Sequence, residues 1–205
     1  LFDCLRVPFP GDGADPFAPV FQALERLLAT QGHEIAAVVL EPLVQGAAGM
    51  RMYPASYLAL ARRACSEHDV LLVVDEVFTG YGRTGPMWAC DHAGISPDIL
   101  CTAKGFSGGM LPMSATLATP RVFDAFGGDP ERAFFYGHSY CGNPLGAAIA
   151  REVLALFREE DILAHAARKA ARIAAAFARM ASLPGVASTR SLGMIGALDL
   201  AVGPS

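Results

Sequence analysis

Two short, uninterrupted apolar runs, Ile35–Leu40 and Val70–Val74, constrain this chain more than any other feature. Each is bounded by charged or turn residues and is too short for a helix. Their lack of apolar–polar alternation predicts strands buried on both faces. Segments of helical period lie between them. Phe17, Val20, Phe21, Leu24, Leu27 and Leu28 recur at helical spacing over residues 16–30. Pro19 is tolerated there because it falls in the first turn. Tyr57, Leu60, Ala61, Ala64 and Cys65 mark a second helix, and Asp98–Thr102 and Ser114–Thr119 are further strand candidates. Strands alternating with helices predict an α/β domain with a mostly parallel sheet covered by helices on both faces.

The C-terminal part reads differently. Asn143 is a good N-cap with Pro144 at the first helical position, and that helix should run to about Glu160. Leu163, Ala167, Ala170, Ile173, Phe177 and Met180 mark a long Ala-rich helix that Pro184–Gly185 ends. Val186–Ser188 and Met194–Leu200 read as strands of a different sheet. Residues 1–160 are therefore expected to form one large domain. Residues 161–205 should form a linking helix and the beginning of a small C-terminal α+β domain. Two short strands do not make a stable sheet by themselves, so the second domain reads as begun and not finished. The chain starts at Leu1 without Met, like the middle of something.

Composition removes several classes. With 53% hydrophobic residues and a formal charge of −4, the chain is too apolar and too weakly charged for disorder. The small acidic excess lacks the basic stripe of a nucleic-acid binder. The adjacent basic pairs Arg62–Arg63 and Arg168–Lys169 sit in helical patterns and read as solvated faces. The longest apolar runs, Ile35–Leu40 and Ile173–Ala178, fall far short of the roughly 20 residues of a membrane helix. A secretory leader is not expected, because no positively charged segment followed by an apolar stretch opens the sequence. Neither a nucleic acid nor a membrane is expected as a partner. Five cysteines without a C-x-x-C suggest no metal site and no disulfide framework, and point to a reducing cytoplasm.

The chemistry is suggested by charge at the carboxyl ends of the buried strands. Glu41 follows the first run, Asp75 and Glu76 the second, and Lys104 follows Asp98–Thr102. In an open α/β sheet, ligands bind outside these ends. Taken singly, Asp75 reads equally as a cap, Lys104 as a solvated amine and Glu41 as a structural acceptor. Together, and followed by Gly80, Gly82 and Gly85 and by Gly105, Gly108 and Gly109, they suggest a site. Two chemistries fit. One is pyridoxal phosphate, whose aldehyde takes a lysine and whose ring nitrogen takes a carboxylate. The other is nucleotide hydrolysis at an apolar strand ending in Asp75-Glu76. That second reading needs a phosphate loop of the type G-x-x-x-x-G-K-[ST], which the chain does not contain.

Three blocks carry a resemblance. The run Asp75-Glu76-Val77-Phe78-Thr79-Gly80-Tyr81-Gly82-Arg83-Thr84-Gly85 resembles the signature of class III aminotransferases. The run from Pro97 to Gly105 resembles the block that ends in the cofactor lysine, and Gly137-His138-Ser139-Tyr140-Cys141-Gly142-Asn143-Pro144 resembles a phosphate-binding block. The resemblance covers nearly the whole chain. It implies a fold-type I pyridoxal-phosphate-dependent transferase. Glu41–Tyr53 and Ser114–Leu117 look like the branch of the class that serves biotin synthesis. That branch aminates 8-amino-7-oxononanoate with S-adenosylmethionine as donor. Ornithine and 4-aminobutyrate members usually carry Gln-Gly-Glu where this chain has Gln45-Gly46-Ala47, and many members have Gln where Phe78 stands. Another class III activity, on an ω-amino acid or a diamine, is the alternative.

The resemblance implies that Lys104 holds the cofactor and is the catalytic base. It assigns Asp75 to the pyridine nitrogen, Val77 to one ring face, and Ser139 with His138 to the phosphate. Gly137 and Arg83 would bind substrate, Arg83 alternatively holding its own loop. A homodimer with a shared active site is implied, and no metal. His33, His68, His92 and His165 show no convergent spacing and read as surface residues. The family pattern also expects a Gly-Ser phosphate contact upstream and a carboxylate-binding Arg downstream. The chain therefore reads as an internal piece that does not work alone.

Overall fold

The computed structural model describes residues 4–10 and 17–201. Pro16, the expected start of the first helix, lies outside them. In chain order the elements are α1 (Phe17–Gln31), β1 (Ala37–Leu40), β2 (Val44–Gln45), β3 (Arg51–Met52), α2 (Ala55–Glu67) and β4 (Leu71–Asp75). They continue with β5 (Ile99–Thr102), β6 (Ala115–Ala118), α3 (Pro120–Asp124), α4 (Pro144–Glu159), α5 (Ile162–Met180), β7 (Val186–Leu192) and β8 (Ile195–Leu200).

The main sheet has the order β1-β4-β5-β6. β1, β4 and β5 are parallel, and β6 pairs antiparallel to β5. The apolar stripes of α1 and α2 place Val20, Phe21, Leu24 and Leu28, with Tyr57, Leu58, Ala61, Ala64 and Cys65, in one core with Leu72 and Val74 of β4. Each such fully buried aliphatic side chain contributes roughly 1.5–3 kcal/mol of transfer free energy. Asp98 fastens this layer. Its Oδ2 accepts Arg62 Nη1 of α2 at 2.6 Å and the Leu72 amide of β4 at 2.8 Å. Burial opposes ionisation of Asp98, but the Leu72 amide and the Arg62 guanidinium outweigh it and hold the carboxyl below its ordinary range.

The expected cover on both faces is not met among the described residues. The row Val39–Val73–Ile99–Ala118 runs across the sheet on the face away from Leu72 and Val74. Val39 in that row is 66% exposed. An uninterrupted apolar run records which faces the sequence prepares for burial; here α1 and α2 supply cover for one of them.

Asn143 caps α4 as expected, its Oδ1 accepting the Leu145 amide at 3.0 Å. The C-terminal strands pair antiparallel as a hairpin, with β7 extending to Leu192, four residues beyond the expected Ser188. The hairpin does not stand alone. α5 packs along it, with Phe177 against Gly196, and its turn at Gly193 sits on the Arg83–Thr84 backbone. Among the described residues no helix is long and apolar enough to cross a membrane, and no group of His, Cys, Asp or Glu could hold a metal. The five cysteines are free thiols.

Candidate active site

Parallel pairing of β4 with β5 sets Asp75 opposite Cys101, so the carboxyl ends of the two strands lie side by side. Asp75 is the last residue of β4. Its Oδ1 accepts the Val77 amide at 2.9 Å, which turns the chain sharply out of the strand. No described residue donates a hydrogen bond to Oδ2. The cap reading and the ligand reading of Asp75 are thus compatible, one oxygen serving each.

Glu76 faces the other way. It is fully buried, with Oε2 accepting the Thr79 hydroxyl at 2.6 Å and Oε1 accepting the Cys90 amide at 2.9 Å. Burial, reinforced by the adjacent Glu76 carboxylate, pushes the Cys90 thiol far above its usual range, so it stays protonated. A carboxylate enclosed and bonded in this way is a brace for the Glu76–Cys90 loop. It does not reach the strand-end edge, where nucleotide hydrolysis would need it.

Lys104 opens a 3₁₀ turn, Lys104–Ser107, one residue after β5. Its φ is +49°, a left-handed conformation that costs a non-glycine residue about 1 kcal/mol or more. The neighbouring contacts enforce it. Gly105 lies so close under Tyr81 that a Cβ there would stand 2.8 Å from the Tyr81 Cβ. Tyr81 itself stacks on Phe106, centroids 6.2 Å apart, and meets Trp88 edge-on at 5.0 Å. The lysine backbone is clamped while its side chain is exposed.

The Lys104 amine stands 5.6 Å from the centre of the Phe78 ring, and the Arg83 guanidinium stands 5.4 Å from the same ring. A cleft of about 460 Å³ opens here, lined by Val77, Phe78, Arg83 and Lys104 and, from α5, by His165 and Lys169. No carboxylate lines it. Of the residues expected to act together, the cleft gathers Lys104, Val77 and Arg83; Asp75 sits beside it at the strand end.

Gly137, His138 and Ser139 lie in an exposed turn before α4. The turn is built locally: His138 Nδ1 accepts the Tyr140 amide at 3.1 Å, and the His138 carbonyl accepts the Cys141 amide at 2.9 Å. No described contact joins this turn to Asp75 or Lys104 within the chain.

His165 and Lys169, expected on the surface and on a solvated helix face, instead line this cleft. Their spacing of four residues places both on one face of a helix, but only the docking of α5 beside the Gly80–Gly82 loop turns that face toward Lys104. Gly82 marks the docking point, since a side chain there would strike Leu163. Glu41 accepts the Gly46 amide through Oε2 at 2.9 Å and so shapes the following loop. A Cβ on Gly46 would touch the Phe78 ring at 3.0 Å.

The residues present suit pyridoxal phosphate: an exposed amine on a rigid backbone, a half-bonded carboxylate on the adjacent strand end, and apolar Val77 between them in sequence. The comparisons agree with this chemistry. The class-III aminotransferase family model matches residues 6–203. The adenosylmethionine-8-amino-7-oxononanoate aminotransferase of Geobacter sulfurreducens is 42% identical over 179 residues, 86% of this chain and 40% of the relative. The enzyme of the same name from Nitratidesulfovibrio vulgaris is 45% identical over 210 residues, 98% of this chain and 39% of the relative. Among solved structures, the Methanocaldococcus jannaschii enzyme of that name superposes with a TM-score of 0.84 at 33% identity, over 88% of this chain and 43% of that one. The ornithine aminotransferase of Toxoplasma gondii gives 0.78 at 33%, over 88% and 41%. The chain spans about two fifths of the length of the curated relatives it matches. With the lysine and aspartate blocks on neighbouring strand ends, as the sequence order required, the chain belongs to the class-III aminotransferase family.

Proposed function

We propose that this chain supplies the central part of the pyridoxal phosphate site of an enzyme of biotin biosynthesis. The reaction transfers an amino group from S-adenosylmethionine to 8-amino-7-oxononanoate, giving 7,8-diaminononanoate. The observation that carries this reading is the juxtaposition of the Asp75 and Lys104 strand ends, joined to the shared name of the relatives above.

Bound here, pyridoxal phosphate supplies an electron sink for charge that develops at the substrate carbon. Lys104 Nζ would hold the cofactor covalently. When free, the same Nζ would act as a general base at short range, placed to move a proton at the substrate carbon. Asp75 Oδ2 would pair with the ring nitrogen and favour its protonated form. Val77 would pack against the ring. Ser139 and His138 hold the phosphate, and Gly137 borders the substrate. The exposure of that turn supports a homodimer in which it completes the partner's site. Arg83, on the cleft wall, meets a substrate carboxylate. Residues 1–160 act as the cofactor domain and residues 161–205 as the start of the small domain. Free thiols support a cytoplasmic location.

The alternative is another class III activity, on an ω-amino acid or a diamine. The Toxoplasma ornithine enzyme shares this fold at the same identity as the first structure. The missing glutamate at Ala47 argues against it. The test uses the protein in its full natural length. Loaded with pyridoxal phosphate it should absorb near the visible–ultraviolet boundary, lose that band on Lys104→Ala, and turn over adenosylmethionine with 8-amino-7-oxononanoate. Absence of the band overturns the cofactor assignment, and turnover with other amines alone selects the alternative.

A further inference from the structure

The β7–β8 hairpin is tied to the Lys104 cleft at two places. Arg190 of β7 uses every arm of its guanidinium. Nη1 and Nη2 grip Asp199 of β8 at 2.5 and 3.2 Å, Nε donates to the Met50 carbonyl at 2.8 Å, and Nη2 also donates to the Gly49 carbonyl. Ser188 donates to Asp199 Oδ2 at 2.6 Å and fixes the carboxylate. Both carbonyls belong to left-handed residues, with φ of +88° at Gly49 and +56° at Met50. Such a backbone needs outside bonds to hold it at Met50, which is not glycine. Only a planar fork of five donors can serve a carboxylate and two carbonyls at once.

The loop that Arg190 pins begins at Gly46, and Met50 N closes it by donating to the Gly46 carbonyl at 3.2 Å. Gly46 lies flat on Phe78, and Phe78 bears on the Lys104 amine and on Arg83. At the far end of the hairpin, the Gly193 turn packs on Arg83–Thr84 and Met194 N donates to the Arg83 carbonyl at 2.7 Å. One hairpin thus fixes both loops that border the Phe78 ring.

We infer that Arg190 is a positioning residue for the transamination centre: by pinning the Gly46–Met50 loop it holds Phe78 against Lys104 and sets where the lysine amine stands. This rests on the proposed role of Lys104. The test is a double-mutant cycle in the full-length holoprotein, measured well below each variant's melting midpoint. Arg190→Met should lower kcat about 10-fold with KM moved less than about 2-fold, the size of a small misplacement of a reacting group. Arg190→Lys should not restore it. In a Phe78→Ala background the same change should cost less than about 2-fold more, because the two residues act in one chain of contacts. Hydrogen exchange at the Gly46 and Met50 amides should quicken about 10-fold in Arg190→Met, reporting local opening.

Full multiplication of the two effects would overturn the inference, as would an unchanged kcat or unchanged exchange in a folded Arg190→Met protein. If Arg190→Met does not fold, Asp199→Asn replaces it. That variant keeps the carbonyl bonds, and should lose about 3-fold in kcat with the same dependence on Phe78; independence from Phe78 overturns the inference. A wild-type protein without the cofactor band would refute the proposed function itself, a result readable before any of these variants is made.

Discussion

Replacing Glu76 separates bracing from chemistry at the Asp75–Glu76 pair. Glu76 is fully buried and accepts two hydrogen bonds, from the Thr79 hydroxyl at 2.6 Å and the Cys90 amide at 2.9 Å. Glu76→Ala leaves both donors buried without a partner, at about 1–3 kcal/mol each, so roughly 2–6 kcal/mol in all. For a domain of this size each kcal/mol lowers the melting midpoint by about 2–4 °C, so a loss near 4 kcal/mol gives about 8–16 °C. Glu76→Gln should be far milder, about 1 kcal/mol. Its amide oxygen can face the Cys90 N–H and its NH₂ can face Thr79, whose hydroxyl rotates to accept. The assay is a thermal melt of the cofactor-loaded protein, paired with kcat measured well below the midpoint. Both variants, where folded, should keep kcat within about 3-fold, since Glu76 touches nothing at the strand-end edge. A Glu76→Gln protein that melts normally yet loses about 100-fold or more in kcat would refute this reasoning and give the carboxylate a chemical role.

Asp75→Asn should show the inverse pattern. Asn keeps the bond to the Val77 amide, so the melt moves by less than about 1 kcal/mol, while kcat falls by about 100-fold or more as the charge facing the ring nitrogen is lost. Gly105→Ala forces a Cβ to 2.8 Å from Tyr81, an overpacking of about 1–3 kcal/mol beside Lys104. A titration with pyridoxal phosphate should weaken about 10-fold, the equivalent of 1.4 kcal/mol. Asp98→Asn keeps an acceptor for Leu72 but loses the ion pair with Arg62, whose side chain is only 18% exposed, at about 1.5–3 kcal/mol. Because the folded carboxyl titrates below its ordinary range, this stability is complete above the unfolded value of about 3.9. It is lost as pH falls through the lower folded value. The gap between wild type and variant should be flat from neutrality to about pH 5 and close below pH 4.

The parallel core was legible because Ile35–Leu40 and Val70–Val74 can be little else. The bare face at Val39 was not, since an apolar run records a preference for burial and not what provides it. β7 was read short because Thr189, Arg190 and Ser191 are polar; pairing with β8 and the cover of α5 make them strand. At the site, Asp75 and Lys104 announce themselves as charges at strand ends. Glu76 looks the same in sequence, and only its burial separates it from its neighbour. His165 and Lys169 come from a segment distant along the chain, and helix docking, which no local pattern encodes, brings them to the cleft; hairpin docking likewise brings Arg190 to the Gly49 and Met50 carbonyls.

The chain holds two lysines, Lys104 and Lys169, and both line the same cleft. That makes one measurement decisive. The full-length protein is loaded with pyridoxal phosphate, reduced with borohydride, digested, and its peptides weighed. The reduced cofactor is expected on Lys104 alone, with Lys169 unmodified. An adduct on Lys169, or none on Lys104, would contradict it.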